Sequence, residues 1–197
     1  MRAPPRRLVQ SLPRLFEELL ELPLSMFDGE LPGCAAPLAA DVRVLLPEGP
    51  QELVPTLALR RFEPPSGADA STPAERYVAL VWDVSSVEPG LDLDQPEALT
   101  GAFRYPPAHK FDRLLRQLRV PIGLLCNGSQ VRLVYAPSGS ASEASGHLAF
   151  RIDDMATSGG QPIVDAFVML LHAKRFFGVA EEHSLPALLA ESRKRQA

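Results

Sequence analysis

The sequence predicts an α/β or α+β domain with a mixed sheet of five to six strands, flanking helices and a C-terminal pair of helices. Residues Tyr77–Val84 are apolar without interruption, which is typical of a strand buried on both faces at the centre of a sheet. Phe111–Tyr135 combines the pattern of an amphipathic helix with that of two strands joined by a turn. Ile163–Phe177 is apolar on almost every side, which predicts a largely buried helix that stops at Gly178.

The first half of the chain contains one predicted helix and several short strands. The helix is expected from Ser11, as its N-cap, to Pro23, with Pro13 in the first turn. Residues 28–40 are rich in Gly, Pro and Ala, which predicts a connector. Two segments have the composition of short strands, Val42–Leu46 and Val54–Phe62. Polar, proline-rich composition predicts long loops at residues 63–75 and 85–107.

The second half begins with a helix at Lys110–Arg119, which Pro121 ends. Its apolar residues recur with helical spacing and share one face: Phe111, Leu114, Leu115 and Leu118. Two strands follow, Ile122–Cys126 and Val131–Tyr135. Asn127-Gly128 lies between them and predicts a type I′ turn, in which both central residues have positive φ.

The remaining elements complete a predicted division into two regions. A disordered segment is expected at residues 138–145, a last strand at His147–Ile152 and a final helix from Ser184. Residues 1–157 are expected to form the sheet domain together with the N-terminal helix. Residues 158–197 are expected to form C-terminal helices that pack on this domain and lead to a further domain downstream.

Composition limits the classes of function. The formal net charge of -4 excludes a protein that is basic throughout, so contact with nucleic acid requires a local basic patch. Cys34 and Cys126 make no disulfide framework, and Cys126 is expected as a buried free thiol in a cytoplasmic protein. Acidic residues interrupt the apolar run near the N-terminus, which excludes a signal peptide or a membrane span there: Glu17, Glu18 and Glu21.

Few residues have the spacing that catalysis or metal binding requires. The four histidines are scattered, so no metal site is predicted. Asp83 ends the central strand and is the candidate catalytic residue, because carboxylates at strand ends can hold magnesium. A nuclease of this kind also needs a second carboxylate, for which Asp41 and Glu18 are candidates, and a lysine, where Ser85 stands. The alternative is that Asp83 only caps the strand end.

A basic patch is predicted on the polar face of the helix at Lys110–Arg119. The cationic residues are Lys110, Arg113, Arg116 and Arg119 on the helix and Arg132 on a following strand. Four of them, Lys110, Arg113, Arg116 and Arg132, are the candidate DNA-binding residues, because together they could contact a phosphate backbone. A solvated helix face that includes Asp112 explains the same residues without a ligand.

With the helix, strand, turn and strand in place, the chain resembles a known family. The segments that carry the resemblance are PIGLLCNGSQVRLVYAP, HLAFRIDDMA, GGQPIVDAFVMLLHAKRFF and LPALLAESRK. They are similar to the N-terminal region of large DNA adenine methyltransferases from type II-G restriction-modification and DISARM-like phage-defence systems. The resemblance covers residues 105–197 well and residues 40–100 less closely.

The resemblance implies a restriction-endonuclease-like fold of the PD-(D/E)xK type. The family pattern puts Pro-Asp on one strand and Glu-x-Lys on the next, and these positions match Pro55-Thr56 and Asp83-Val84-Ser85. The first carboxylate and the lysine are absent, which implies a catalytically inactive nuclease-like module that positions DNA or partner domains. The glycine-rich cofactor loop and the Asn-Pro-Pro-aromatic motif of the methyltransferase are also absent from the 197 residues. The implied partners are therefore DNA and a downstream methyltransferase domain or defence-system subunit, and S-adenosylmethionine would bind only in a downstream domain.

Two other functions stay open at this point. The first is an active magnesium-dependent DNA endonuclease that uses Asp83, which is the only case in which this chain would need a cofactor. The second is a protein-interaction module, in which the apolar helix at Ile163–Phe177 and the last helix dock another polypeptide.

Overall fold

The computed structural model describes residues 11–46, 52–62, 72–85, 91–96, 104–137 and 145–195. Some segments for which the sequence predicts loops or disorder lie outside the described residues: 63–71, 86–90, 97–103 and 138–144. The chain divides into two compact units, a larger one of Ser25–Ala149 and a smaller one of Met1–Leu24 with Phe150–Ala197. The N-terminal segment is thus in one unit with the C-terminal helices, a division that differs from the predicted boundary at residue 157.

A six-stranded mixed sheet is the framework of the fold, and the prediction of five to six strands with flanking helices is confirmed. In chain order the strands are β1 (Phe27–Gly29), β2 (Val44–Leu45), β3 (Glu52–Leu53), β4 (Leu57–Arg60), β5 (Tyr77–Asp83), β6 (Ile122–Cys126), β7 (Gln130–Tyr135) and β8 (Gly146–Arg151). The large sheet has the order β1-β4-β5-β6-β7-β8, while β2 and β3 form a separate antiparallel pair. Strands β5 and β6 are parallel, whereas β1 with β4, β4 with β5 and β6 with β7 are antiparallel.

The described α-helices are short, except for one in the larger unit and two in the smaller unit. In chain order they are α1 (Leu12–Arg14), α2 (Pro73–Arg76), α3 (Pro107–Leu118), α4 (Ile152–Met155), α5 (Gln161–Leu171), α6 (Ala173–Phe177) and α7 (Leu185–Lys194). Helix α3 follows β5 and precedes β6, which makes it the crossover between the two parallel strands. Within the described ranges, every helix is too short or too polar to span a lipid bilayer.

The core of the larger unit lies between helix α3 and the sheet. Strand β5 is buried from Tyr77 to Val81, as its uninterrupted apolar sequence predicts for a central strand. Phe111, Leu114 and Leu115 of α3 are fully buried in the same cluster. Gly123 on β6 allows the helix to approach closely, because a Cβ at this position would overlap the Phe111 ring.

The Asn-Gly hairpin differs from the predicted type I′ turn. Cys126 pairs with Val131, so four residues lie between the last paired residues of the hairpin. Gly128 has φ of +81°, but Asn127 is not among the described residues with positive φ. The Asn127 side chain instead accepts hydrogen bonds from the backbone N–H groups of Ser129 and Gln130, at 3.0 and 2.8 Å. The prediction was wrong because the amide side chain closes the loop itself.

The first half of the larger unit also departs from the prediction. Residues 28–40, predicted as a connector, contain part of β1, which pairs with β4 through Phe27↔Leu59. The two predicted strands at Val42–Leu46 and Val54–Phe62 are shorter, as β2 and β4. Helix α2 begins with a capping box, in which the Thr72 backbone N–H donates to the Glu75 carboxylate at 3.0 Å.

The smaller unit corrects two helix predictions. In place of the helix expected from Ser11 to Pro23, the structure has the short helix α1 at Leu12–Arg14, which continues as a π-helical segment at Leu15–Leu19. Glu21, with φ of 55°, then turns the chain out of the helix. The predicted single helix at Ile163–Phe177 is divided at His172, whose extended backbone ends α5 and whose Nδ1 accepts from the Lys174 N–H at 3.2 Å to begin α6.

The divided helix is also more exposed than predicted. Only Phe167 and Leu171 of α5 are buried, while Ile163 and Met169 are 36% and 56% exposed. The expectation of a largely buried helix is therefore wrong. The predicted start of the last helix at Ser184 is confirmed, and the structure shows Ser184 as its N-cap, since Ser184 Oγ accepts from the Ala187 N–H at 3.4 Å.

Candidate functional site

The two motif positions predicted from the resemblance lie next to each other. Thr56 precedes β4 and Asp83 ends β5, and the antiparallel register brings them together. The Asp83 backbone N–H donates to Thr56 Oγ1 at 2.8 Å, and the Thr56 N–H donates to the Val81 carbonyl at 2.7 Å. The Thr56 hydroxyl therefore bonds the backbone of Asp83, and Thr56 supplies no carboxylate that could share a metal ion with Asp83.

The carboxylate of Asp83 has a local structural role. Its Oδ1 accepts a hydrogen bond from the Ser85 N–H at 2.9 Å, which closes the turn after β5. The proposed second carboxylates have other partners: Asp41 is paired with Arg76, and Glu18 with Arg14 in the smaller unit. Among the residues that the structure describes, no group of three or more His, Cys, Asp or Glu side chains is placed to hold a metal ion. The described residues at this position do not fit magnesium.

The predicted basic residues fall into two groups. Lys110 and Arg132 are buried, so the expectation that Lys110 lies on the solvated face of the helix is wrong. Arg113 and Arg116 are half-buried and Arg119 is exposed. Arg116 Nε donates to both carboxylate oxygens of Asp112, at 3.1 and 3.0 Å, and its Nη1 donates to a backbone carbonyl. The solvent-facing cationic surface is therefore narrower than the sequence predicts.

A cleft of about 580 Å³ opens beside these residues in the larger unit. Its polar lining consists of two aspartates, two arginines and two histidines: Asp94, Asp112, Arg116, Arg132, His109 and His147. Ala108 and Val134 supply apolar surface, and Ser145 and Gly146 form part of its edge. Residues from α3, β7, β8 and the segment 91–96 thus meet around one concave surface.

The segment 91–96, here called the strap, is fastened to the unit by both apolar and polar contacts. Leu93 is fully buried in the core, although it lies in a stretch predicted as a polar loop. The Ala108 N–H donates to the Leu93 carbonyl at 3.0 Å, and Asn127 Nδ2 donates to the Leu91 carbonyl at 2.8 Å. These contacts hold Asp94 at the cleft.

Asp94 forms a two-pronged ion pair with Arg132 in the cleft. Its two carboxylate oxygens accept from Nη1 and Nη2 of Arg132, both at 2.7 Å. Arg132 Nε donates to Gln130 Oε1 at 3.0 Å. The hydrogen bonds from Arg132 lower the pKa of Asp94 most, and the positive charge that His147 and His109 can carry lowers it further. Both imidazoles therefore lie within electrostatic reach of this carboxylate.

Sequence reasoning missed most of this cleft. Arg132 and Arg116 were predicted as DNA-binding residues, but Asp94 lies in the segment predicted as a polar loop, and the histidines were assigned to no metal site. Asp94 and Arg132 are 38 residues apart in the chain, so no local spacing could reveal the pair. The apolar Leu91 and Leu93, which flank an acidic residue within a polar stretch, were the available signal that this segment docks on the core.

Comparison with known proteins identifies no relative of this chain. No family model, no curated protein and no solved structure matches the chain.

Proposed function

We propose that this chain is a catalytically inactive, nuclease-like module of a restriction-modification or phage-defence DNA methyltransferase, and that it positions DNA or a partner domain. The observation that carries the proposal is the contact between Thr56 and Asp83. The PD-(D/E)xK pattern requires its two motif positions to lie side by side on neighbouring strands, and the positions matched from the sequence do so.

Further features support a scaffold of this kind that has lost its catalytic groups. Helix α3 precedes the hairpin of β6 and β7 and packs on the sheet, as the resemblance implies. Asp83 is the one carboxylate at the motif positions, and it caps the turn at Ser85. Thr56 has no charge with which to bind a divalent cation, and Ser85 has none with which to stabilise the charge of a phosphodiester transition state.

The inactive state is tested with supercoiled plasmid in magnesium or manganese. Neither the wild-type chain nor the Asp83→Ala variant is expected to nick the plasmid. Nicking by the wild type that the variant lacks would contradict the proposal and favour the active endonuclease.

DNA contact is tested with duplex DNA in gel-shift titrations over a range of salt concentrations. The informative variant is Arg113→Gln/Arg119→Gln, which leaves the buried Lys110 intact. Its thermal melting is compared with that of the wild type, which separates an effect on binding from an effect on folding. If each arginine neutralises one phosphate, the slope of log K against log salt should become shallower by about 1.8 units.

The matched control is Arg43→Gln/Arg61→Gln, which removes two charges from other exposed arginines of the same unit. Its salt slope should stay within about 0.5 units of the wild-type slope, since neither arginine is a proposed DNA contact. Equal binding by all three proteins would remove the α3 surface from the proposal.

A protein-interaction module is the second candidate, and the exposure of the smaller unit favours it. Ile163, Met169 and Val179 are each more than a third exposed. The Ile163→Lys/Met169→Lys variant should bind a hydrophobic dye less than the wild type does, with its free energy of unfolding unchanged within about 0.5 kcal/mol. A loss of several kcal/mol would show that these side chains belong to a core and would count against this function.

A further inference from the structure

We propose that the cleft beside α3 is a phosphate-binding site in which Arg132 binds the phosphate. When no phosphate is bound, the Asp94 carboxylate pairs with Arg132 instead. This inference goes beyond the proposed function, whose DNA contacts are Arg113 and Arg119. The ligand is defined by its chemistry as a phosphate group, whether on a small molecule or in a nucleic acid.

The pairing of Arg132 with Asp94 is asymmetric. The Arg132 side chain is 7% exposed, whereas the Asp94 side chain is 60% exposed. A buried guanidinium needs an anionic partner, because an unpaired charge at such a position is costly. The aspartate can regain hydration by rotating outward, but the arginine has no such alternative. Asp94 is therefore the exchangeable member of the pair.

A phosphate can accept the same two hydrogen bonds from Arg132 that the Asp94 carboxylate accepts. Nη1 and Nη2 of Arg132 each donate to a different oxygen of the same carboxylate at 2.7 Å. A guanidinium makes the same two parallel hydrogen bonds with a phosphate as with a carboxylate. The hydrogen bond from Arg132 Nε to Gln130 fixes the plane of the guanidinium. The guanidinium therefore keeps its orientation when a phosphate replaces the Asp94 carboxylate.

The groups around the Arg132 guanidinium favour binding of an anion over binding of a cation. Both carboxylate oxygens of Asp112, the other acidic residue of the cleft, are already bound by Arg116. Displacement of Asp94 would therefore leave the lining with an excess of positive charge, since Arg116 and Arg132 would face Asp112 alone. Ala108, His109 and Asp112 place the first turns of α3 at the cleft, where the positive end of the helix dipole also attracts an anion.

The volume of the cleft indicates the size of the ligand. About 580 Å³ exceeds what a bare phosphate needs and lies within the range of pockets that bind small organic molecules. The cleft can therefore accept a phosphate together with the sugar or base to which it is attached.

The deciding experiment is calorimetric titration of the full chain with inorganic phosphate at constant ionic strength. Asp94→Asn removes the competing charge but leaves an amide oxygen that can accept from Arg132. This variant should bind phosphate at least about tenfold more tightly than the wild type, which corresponds to about 1.4 kcal/mol.

The matched control is Asp92→Asn, which makes the same change of charge two residues away in the strap. Asp92 Oδ1 accepts from the Asp94 N–H at 2.9 Å, a bond that an asparagine oxygen can also make. Its phosphate affinity should equal that of the wild type. Equal phosphate affinity in the Asp94→Asn and Asp92→Asn variants would overturn the proposal.

A further variant tests whether the Arg132 guanidinium binds the phosphate. Arg132→Lys in the Asp94→Asn background keeps a positive charge but lacks the two-pronged fork, and it should lose the gain in affinity. Retention of the gain in the folded double variant would also overturn the proposal. If thermal melting shows that the double variant is unfolded, the comparison of the two single variants still decides.

The source of the phosphate is distinguished by titrating the same variants with a nucleoside monophosphate and with duplex DNA. A gain of affinity for duplex DNA in Asp94→Asn, beyond that in Asp92→Asn, assigns the site to the nucleic-acid backbone. A gain only for inorganic phosphate and the mononucleotide assigns it to small phosphorylated ligands. Because Arg113 and Arg119 are unchanged in all these variants, failure of this site leaves the separate test of the proposed function intact.

Discussion

Replacement of Asn127 by alanine is predicted to destabilise the larger unit, because this one side chain joins the β6–β7 loop to the strap. Asn127 is 1% exposed. Its Nδ2 donates to the Leu91 carbonyl at 2.8 Å, and its Oδ1 accepts from Ser129 and Gln130. Asn127→Ala removes both ends of this bridge at once.

The magnitude follows from the groups that lose a partner. The Leu91 carbonyl and the Gln130 N–H belong to half-buried residues, and a hydrogen bond lost at such positions costs about 1–2 kcal/mol each. Ser129 is exposed, so water can replace its contacts at little cost. We therefore expect a loss of about 2–4 kcal/mol in the free energy of unfolding.

The assay is urea unfolding followed by circular dichroism, with Ser129→Ala as the control. Ser129→Ala removes only the bond from Ser129 Oγ to Asn127 Oδ1, at 3.0 Å, and should cost less than about 1 kcal/mol. Hydrogen exchange gives a second readout, because the Ala108 N–H bonded to the Leu93 carbonyl should exchange faster once the strap is loosened. Equal stability of the two variants would refute the reasoning that Asn127 bridges the loop and the strap.

Three further predictions concern the core. Gly123→Ala should cost about 1–3 kcal/mol by urea unfolding, because the new methyl group overlaps the Phe111 ring; an unchanged stability would show that α3 can move away. Burial raises the pKa of the Cys126 thiol, so this thiol should react with a thiol reagent only after unfolding, and rapid native-state labelling would contradict its burial. Burial and the hydrogen bond to Asp28 raise the pKa of Tyr77 to about 12, so one tyrosine should ionise last in a titration followed by ultraviolet absorbance. Its contribution to stability is present below the unfolded pKa of about 10 and is lost as the pH rises through about 12; Tyr77→Phe should abolish that phase.

The elements that the sequence predicted correctly depend on contacts between near neighbours in the chain. The apolar face of α3 follows from residues three and four apart, and the burial of β5 follows from an unbroken apolar run. Ser184 caps its helix through a residue three positions away. Each pattern is complete within one element, so it can be recognised without knowledge of the rest of the fold.

The elements that were missed depend on distant partners. Strand β1 has three residues, too few for a periodic pattern, and it exists because Phe27–Gly29 pairs with β4. The division of the long apolar helix at His172 coincides with contacts to the N-terminal segment, where the Ala173 N–H donates to the Leu20 carbonyl at 2.8 Å. Neither feature has a strong signal in the local sequence.

The sequence by itself determined the mixed sheet, the amphipathic helix before β6, and the absence of a lysine after Asp83. It could do so because hydrophobic period and residue identity are local properties of the chain. Only the tertiary structure decided that Thr56 meets Asp83, that Lys110 is buried, and that an exposed aspartate neutralises the buried Arg132. The physical reason is that these contacts join groups that sheet register and strap docking bring together from far apart in the chain.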